Sequence, residues 1–234
     1  SRAQLAQLTA IARDRINARL MDEGVTIVDP ATTWVGPDVT VGRDTVLLPM
    51  TMLWGSTTVG EECVLGPNTR LTDCAVGDRV SLEETVGVDV TIDDDVTCGP
   101  RAYLRGGAHV LEGAHVGTHV EIKNSTIGRG SKVPHLSYIG DCTMGSGVNI
   151  GGGSITCNYD GVHKNRTVIG NDVFVGSDTM MVAPVTIGDG ALVGASSCVT
   201  KDVPADALYL ERAEQRIVEG YASRRLERLK RSED

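Results

Sequence analysis

The stretch Glu121–Gly161, EIKNSTIGRGSKVPHLSYIGDCTMGSGVNIGGGSITCNYDG, carries more polar chemistry than its pattern requires. An aliphatic residue followed by glycine recurs through it, at Ile127-Gly128, Ile139-Gly140 and Ile150-Gly151. Glu121, Lys123, His135, Tyr138, Asn149 and Asn158 stand outside that rhythm, and read as a wall of reactive and binding groups mounted on a repetitive scaffold. His135 is the candidate general base: it follows Pro134, has Lys123, Lys132 and Tyr138 near it in sequence, and imidazole exchanges protons near neutral pH. A solvated surface histidine is the plain alternative. His109, His115 and His119 admit a zinc reading, but the ligands of such a site must converge and no accompanying motif marks them, so no metal is expected.

A repeat must position these side chains. The aliphatic-Gly pair also occurs at Val35-Gly36, Val41-Gly42, Val59-Gly60, Leu65-Gly66, Val76-Gly77, Val86-Gly87, Val116-Gly117, Ile169-Gly170, Val175-Gly176, Ile187-Gly188 and Val193-Gly194. Four residues beyond the aliphatic position stands a small or branched residue, such as Val39, Thr45, Cys63, Thr69, Ala114, Val120, Val173, Thr179 or Ala191, and these two slots point inward. Such a six-residue unit makes a short strand and a sharp bend. Three units close a triangular coil whose strands pair in parallel with their equivalents ~4.8 Å away. The chain is expected to be mainly β, a solenoid of roughly nine or ten coils. The spacing shortens by one residue after Asp73-Cys74, Asn124-Ser125 and Asp141-Cys142, which tightens those corners, and the insertion Cys157–Thr167 leaves the coil.

Composition agrees with thin regular layers. The 234 residues are 41% hydrophobic but only 3% aromatic, so Val, Ile, Leu, Ala and Thr must fill the core. A net charge of −9 argues against a nucleic-acid surface. The cysteines, at 63, 74, 98, 142, 157 and 198, form no C-x-x-C pair and read as small core residues of a reducing compartment. No apolar run approaches the ~20 residues of a membrane span, so a cytoplasmic protein without membrane contact is expected.

Helical spacing frames the repeat. Leu5, Leu8, Ile11, Ala12, Ile16 and Leu20 predict an amphipathic helix ending near Gly24, and Ala213 to Leu229 a second, with a basic end at Arg224, Arg225, Arg228, Lys230 and Arg231. Both are expected to cover open ends of the solenoid. The division expected is 1–28 linker helix, 29–204 solenoid domain and 205–234 C-terminal arm and helix.

GSKVPHLSYIGD, VNIGGGSITCNYDG and VFVGSDTMMVAPVTIGDGALVGASSCVT resemble the acetyltransferase domain of the bacterial bifunctional glucosamine-1-phosphate N-acetyltransferase/N-acetylglucosamine-1-phosphate uridyltransferase family, a likeness running from about Arg2 to Arg212. The resemblance implies a left-handed parallel β-helix; the general rule for parallel crossovers gives no left hand. It implies acetyl transfer from acetyl-CoA to glucosamine 1-phosphate, in UDP-N-acetylglucosamine supply for the cell wall. By the same resemblance His135 is the base, and Arg105, Lys123, Tyr138 and Lys164 contact the sugar phosphate. Glu121, Asn149 and Asn158 contact the sugar or its amine, while Gly152, Tyr159, Ser177, Ala195 and Arg212 line the acetyl-CoA channel. It further implies a homotrimer with shared sites, in which Lys164 reaches a sugar phosphate held by a neighbouring subunit. Magnesium belongs to the uridyltransferase part, which is expected to be missing here. Another hexapeptide N-acyltransferase, or a non-catalytic hexapeptide module used for trimerisation, are the other readings of the same repeat.

Overall fold

Each strand is two to four residues long and sends an aliphatic side chain inward, so single coils are too thin to be stable and must stack. The computed structural model, which describes residues 1–231, winds them into a parallel solenoid of about ten turns. An 11-stranded first face runs from Thr26–Ile27 to Leu208–Tyr209, a 10-stranded second face from Trp34–Val35 to Cys198–Val199, and a 9-stranded third face from Thr40–Val41 to Val185–Ile187. Neighbouring strands pair in parallel on every face. Leu47, Leu65, Leu82, Leu104, Ile122, Ile139 and Ile150 are fully buried along the axis, each contributing about 1.5–3 kcal/mol of apolar burial. Buried threonines complete the layers, and their hydroxyls bond to backbone: Thr51 Oγ1 donates to Leu48 O at 2.8 Å.

One expected slot is filled differently. Val86 is only half-buried, and Gly87 takes the inward position between Leu71 and Leu104, where an added Cβ would come 2.8 Å from Leu71 Cδ2. Leu82, Gly87 and Ile92 therefore occupy successive inward slots, and the corners at Glu84 and Asp89, with φ of 42° and 53°, are tightened as well as those read from the sequence. The regular Val86-to-Ile92 spacing hid this, because an aliphatic-Gly pair fits the repeat whether its first or its second residue faces the core.

The ends differ from expectation. The first helix, α1, spans Arg2–Asp22 and starts with a capping box between Ser1 and Gln4. Only its last turns cover the coil: Leu20 is buried, Asn17 Nδ2 donates to Pro30 O and Thr33 O, and Arg13 lies 5.0 Å over the Trp34 ring. Leu5, Leu8 and Ile11 remain exposed. The second helix, α2, spans Tyr221–Arg231 rather than beginning at Ala213, and every side chain from Glu211 to Arg228 is exposed, so it does not cap the solenoid. A helix this short gains little without an apolar partner. The side chains of Leu229 and Arg231, both counted in the helical spacing, lie outside the described residues. The coil is closed instead by Leu208–Tyr209, whose Tyr209 hydroxyl donates to Cys198 O at 2.9 Å. Among the described residues no helix is long and apolar enough to cross a membrane.

Candidate active site

Stacking in parallel sets equivalent side chains in columns, and the second face carries two of them. Tyr103, Glu121 and Tyr138 are register partners, as are Arg105, Lys123 and Gly140. Arg105 is held by Glu121, with Nε donating to Oε1 at 2.8 Å. The Tyr138 ring lies across Gly140, where any added Cβ would collide with it. Asn158 Nδ2 donates to the Tyr138 hydroxyl at 3.3 Å, which ties the start of the excursion 158–166 to this face. Within that loop Tyr159 and Lys164 form an antiparallel bridge, and Asp160 accepts from the backbone N–H groups of Val162 and His163.

Asp141 sits beneath these groups at the corner between the second and third faces. It is 5% exposed, and its carboxylate accepts from Lys123 Nζ at 3.1 and 3.0 Å, from Asn124 Nδ2 at 2.6 Å and from Asn158 Nδ2. Burial works against its charge, yet the hydrogen bonds from Asn124, Lys123 and Asn158 hold its pKa below the usual carboxylate range. Burial likewise opposes the charge on Lys123, and the hydrogen bonds to Asp141 outweigh it, raising the pKa above the ordinary lysine value. Lys164 comes within hydrogen-bonding reach of Lys123, and that contact together with the like charge pushes its own pKa down. Lys164 thus stands beside the cluster of its own chain. Sequence reading assigned no role to Asp141 or Asn124; the signal available was that their two successive corners are both one residue short, which stacks them.

His135 lies at another corner, between the first and second faces, exposed at the end of the strand Lys132–His135. Its carbonyl accepts from Gly153 N at 3.3 Å and Ser137 Oγ at 2.7 Å, which fixes the corner backbone. The same edge continues upward corner by corner: Asp178 N donates to Gly152 O at 2.8 Å, Ser196 N to Ser177 O at 2.8 Å, and Gly194 packs against Leu210 and Arg212. His135, Gly152, Ser177, Ala195 and Arg212 therefore form one line, roughly 19 Å long over four coil steps, suited to an elongated ligand. Its far end opens into a shallow cleft of about 420 Å³ lined by Ala195, Ser196, Glu211, Arg212, Ala213 and Gln215. Tyr159 does not join the line, its hydroxyl donating to Gly161 O within the excursion.

Asn149 lies on the first face, in register with Lys132 and Phe174, away from the cationic cluster. His109, His115 and His119 do not converge: His109 Nε2 bonds Asp93 at 2.8 Å on the third face, His115 pairs with Thr97 at 2.7 Å on the first, and His119 contacts Arg101 at a corner. Burial lowers the His115 pKa, with the charges of His135 and Lys132 adding to it. A third-face groove of about 440 Å³, lined by residues including Asp93, Asp94, Glu112 and Arg129, brings together none of the expected site residues. Burial raises the pKa of Cys63, Cys74 and Cys157 and pushes Cys98 and Cys142 up to about 12, which keeps these five as thiols rather than thiolates.

Comparison with known proteins matches residues 166–201 to the family described as Bacterial transferase hexapeptide (six repeats). The chain is 50% identical over 225 residues to the bifunctional protein GlmU of Heliobacterium modesticaldum, covering 96% of this chain and 49% of that protein. It is 51% identical over 220 residues to GlmU of Carboxydothermus hydrogenoformans, covering 94% and 49%, and 51% identical over 225 residues to GlmU of Mycobacterium bovis, covering 96% and 46%. The chain spans about half the length of these curated relatives. By its repeat and by about 50% identity along nearly all of its own length, the chain is similar to about half of the bifunctional GlmU proteins and carries the transferase hexapeptide repeat.

Proposed function

We propose that the chain transfers acetyl from acetyl-CoA to the 2-amino group of glucosamine 1-phosphate, without a covalent enzyme intermediate. The observation that carries the reading is the cationic cluster of Arg105, Lys123 and Lys164 around Tyr138, on a coil whose neighbouring edge carries an exposed histidine at the head of a line of glycine-rich corners. The cluster takes the phosphate, for which guanidinium and ammonium donors are suited. Glu121 and Asn158 take hydroxyl or amine groups of the sugar. The amine must shed a proton as its nitrogen bonds to the thioester carbonyl, and His135 receives it. The C–S bond then breaks, and the coenzyme thiolate leaves and is reprotonated. Turn amides and Ser177 along the edge donate to the carbonyl oxygen while it carries charge. Direct attack is supported by Cys142 and Cys157, next in sequence to Asp141 and Asn158, whose pKa values, raised by burial, disfavour an acetyl-thiol intermediate.

The same reading makes the protein a homotrimer whose sites are completed between subunits. In one chain His135 precedes the strand Tyr138–Gly140 and Asp141 follows it, six residues away and so up to roughly 20 Å at 3.3 Å per residue. The sugar's amine and phosphate sit on adjacent carbons, too close to bridge both edges, so the base comes from a neighbouring chain packed edge to face around a three-fold axis. Asn149, on the first face, then lines the groove from the side of His135. Release of coenzyme A with glucosamine 1-phosphate as acceptor tests the activity. Mixing inactive His135→Ala chains with Lys123→Ala chains, at glucosamine 1-phosphate concentrations too low for the latter to turn over, tests the sharing: activity should return after subunit exchange, and mixtures that stay dead would overturn the shared site.

A further inference from the structure

The cluster contains one element that the proposed chemistry leaves unused. Asp141 is a carboxylate at a φ of 51°, buried at a corner, and it touches no position assigned to substrate other than through the side chains it holds. Three side chains from two separate parts of the chain end on it. Lys123 comes from the strand one coil earlier, Asn124 from the corner beside that strand, and Asn158 from the root of the excursion that carries Lys164. The backbone repeats the junction, with Asp141 N donating to Lys123 O at 3.0 Å and Thr167 N, where the excursion returns, donating to Asp141 O at 3.2 Å. A surface ion pair would be worth little, but Lys123 is 14% exposed and Asp141 7% by side chain, so water screens this one poorly.

We propose, building on the functional reading above, that Asp141 is a positioning residue for the sugar phosphate: its carboxylate fixes Lys123 Nζ and the Asn158 amide toward the anion and anchors the loop that brings Lys164. Opposed effects must be weighed. A carboxylate near a phosphate site subtracts attraction, so its removal strengthens the field. It also releases a long, rotamer-rich ammonium that then has to be ordered by the ligand, and leaves two amide donors without their acceptor. Two contacts to one ammonium, at 3.1 and 3.0 Å in a buried site, make the ordering effect the larger.

Asp141→Asn is the informative variant, because asparagine tolerates the positive φ and keeps the shape while losing the charge. KM for glucosamine 1-phosphate should rise about tenfold, the loss of one charge-assisted hydrogen bond, with kcat and the KM for acetyl-CoA within about twofold. In a Lys123→Ala background the same change should add clearly less than its full effect, since part of the action of Asp141 runs through that lysine, whereas a general structural role would add its full effect. An unchanged or lower sugar-phosphate KM, or full additivity with Lys123→Ala, would overturn the proposal. A second measurement does not depend on turnover: competitive labelling of amines with acetic anhydride, read by mass spectrometry, should modify Lys123 several-fold faster in folded Asp141→Asn than in wild type. Unchanged labelling would show that no clamp exists. If the wild type released no coenzyme A, the functional reading would fall while the labelling result still decided the role of Asp141.

Discussion

Asp73 and Asp141 stand at the same kind of corner, between the second and third faces, with φ of 54° and 51° and with one residue removed from the repeat. Asp73 is exposed, and it accepts from Ser56 N at 2.9 Å and Ser56 Oγ at 3.1 Å, closing a turn in solvent. Asp141 is buried and accepts from a lysine and two asparagines. The backbone is equivalent, so the coil does not make the difference. It comes from the outward residues of the adjoining coils and from the excursion 158–166, which leaves at the next corner and roofs Asp141. A solenoid of this kind supplies the same address many times, and chemistry arises where side chains from consecutive addresses meet under a cover.

The largest effect that sharpens this contrast is expected at the histidines. His135→Ala should lower kcat by about two to four orders of magnitude with the fold intact by circular dichroism, whereas His119→Ala, one coil earlier near the same edge and paired with Arg101, should stay within about twofold. Comparable losses from both would dissolve the distinction between the two coils. An intermediate effect is expected from pH. The nearby Lys123 cation lowers the Lys164 pKa, so Lys164 loses its charge at lower pH than the ordinary ~10.4 of a lysine. Affinity for the sugar phosphate should therefore fall on the alkaline side below that value, and Lys164→Arg should carry the fall to higher pH. Measuring KM against pH in both forms checks this; coincident profiles would remove Lys164 from the anion site. The smallest effect belongs to Asp73→Asn, which keeps the positive φ and the acceptor for Ser56. Thermal unfolding should change by no more than about 0.5 kcal/mol and the KM values not at all, against the tenfold expected of Asp141→Asn.

The sequence by itself determined the coil, the excursion and the membership of the polar set. An inward aliphatic residue every six positions has no other way to be buried, and Lys123, Tyr138 and Asn158 stand out because the repeat does not require them. It also misled in definite places. The pair Val86-Gly87 fits the template in two phases, and only the packing of Leu71 against Leu104 through Gly87 selects one. The apolar spacing of Ala213–Leu229 marked a cap, but amphipathicity states that a face can be buried and not that anything is there to bury it. The sharpest limit is Asp141. In sequence it is a polar residue at a shortened corner, like Asp73. Its role depends on Lys123, Asn124 and Asn158, which lie a whole coil away along the chain and one strand spacing away in space. Parallel stacking converts that sequence separation into contact, so the meeting of these groups was decided only by the tertiary structure.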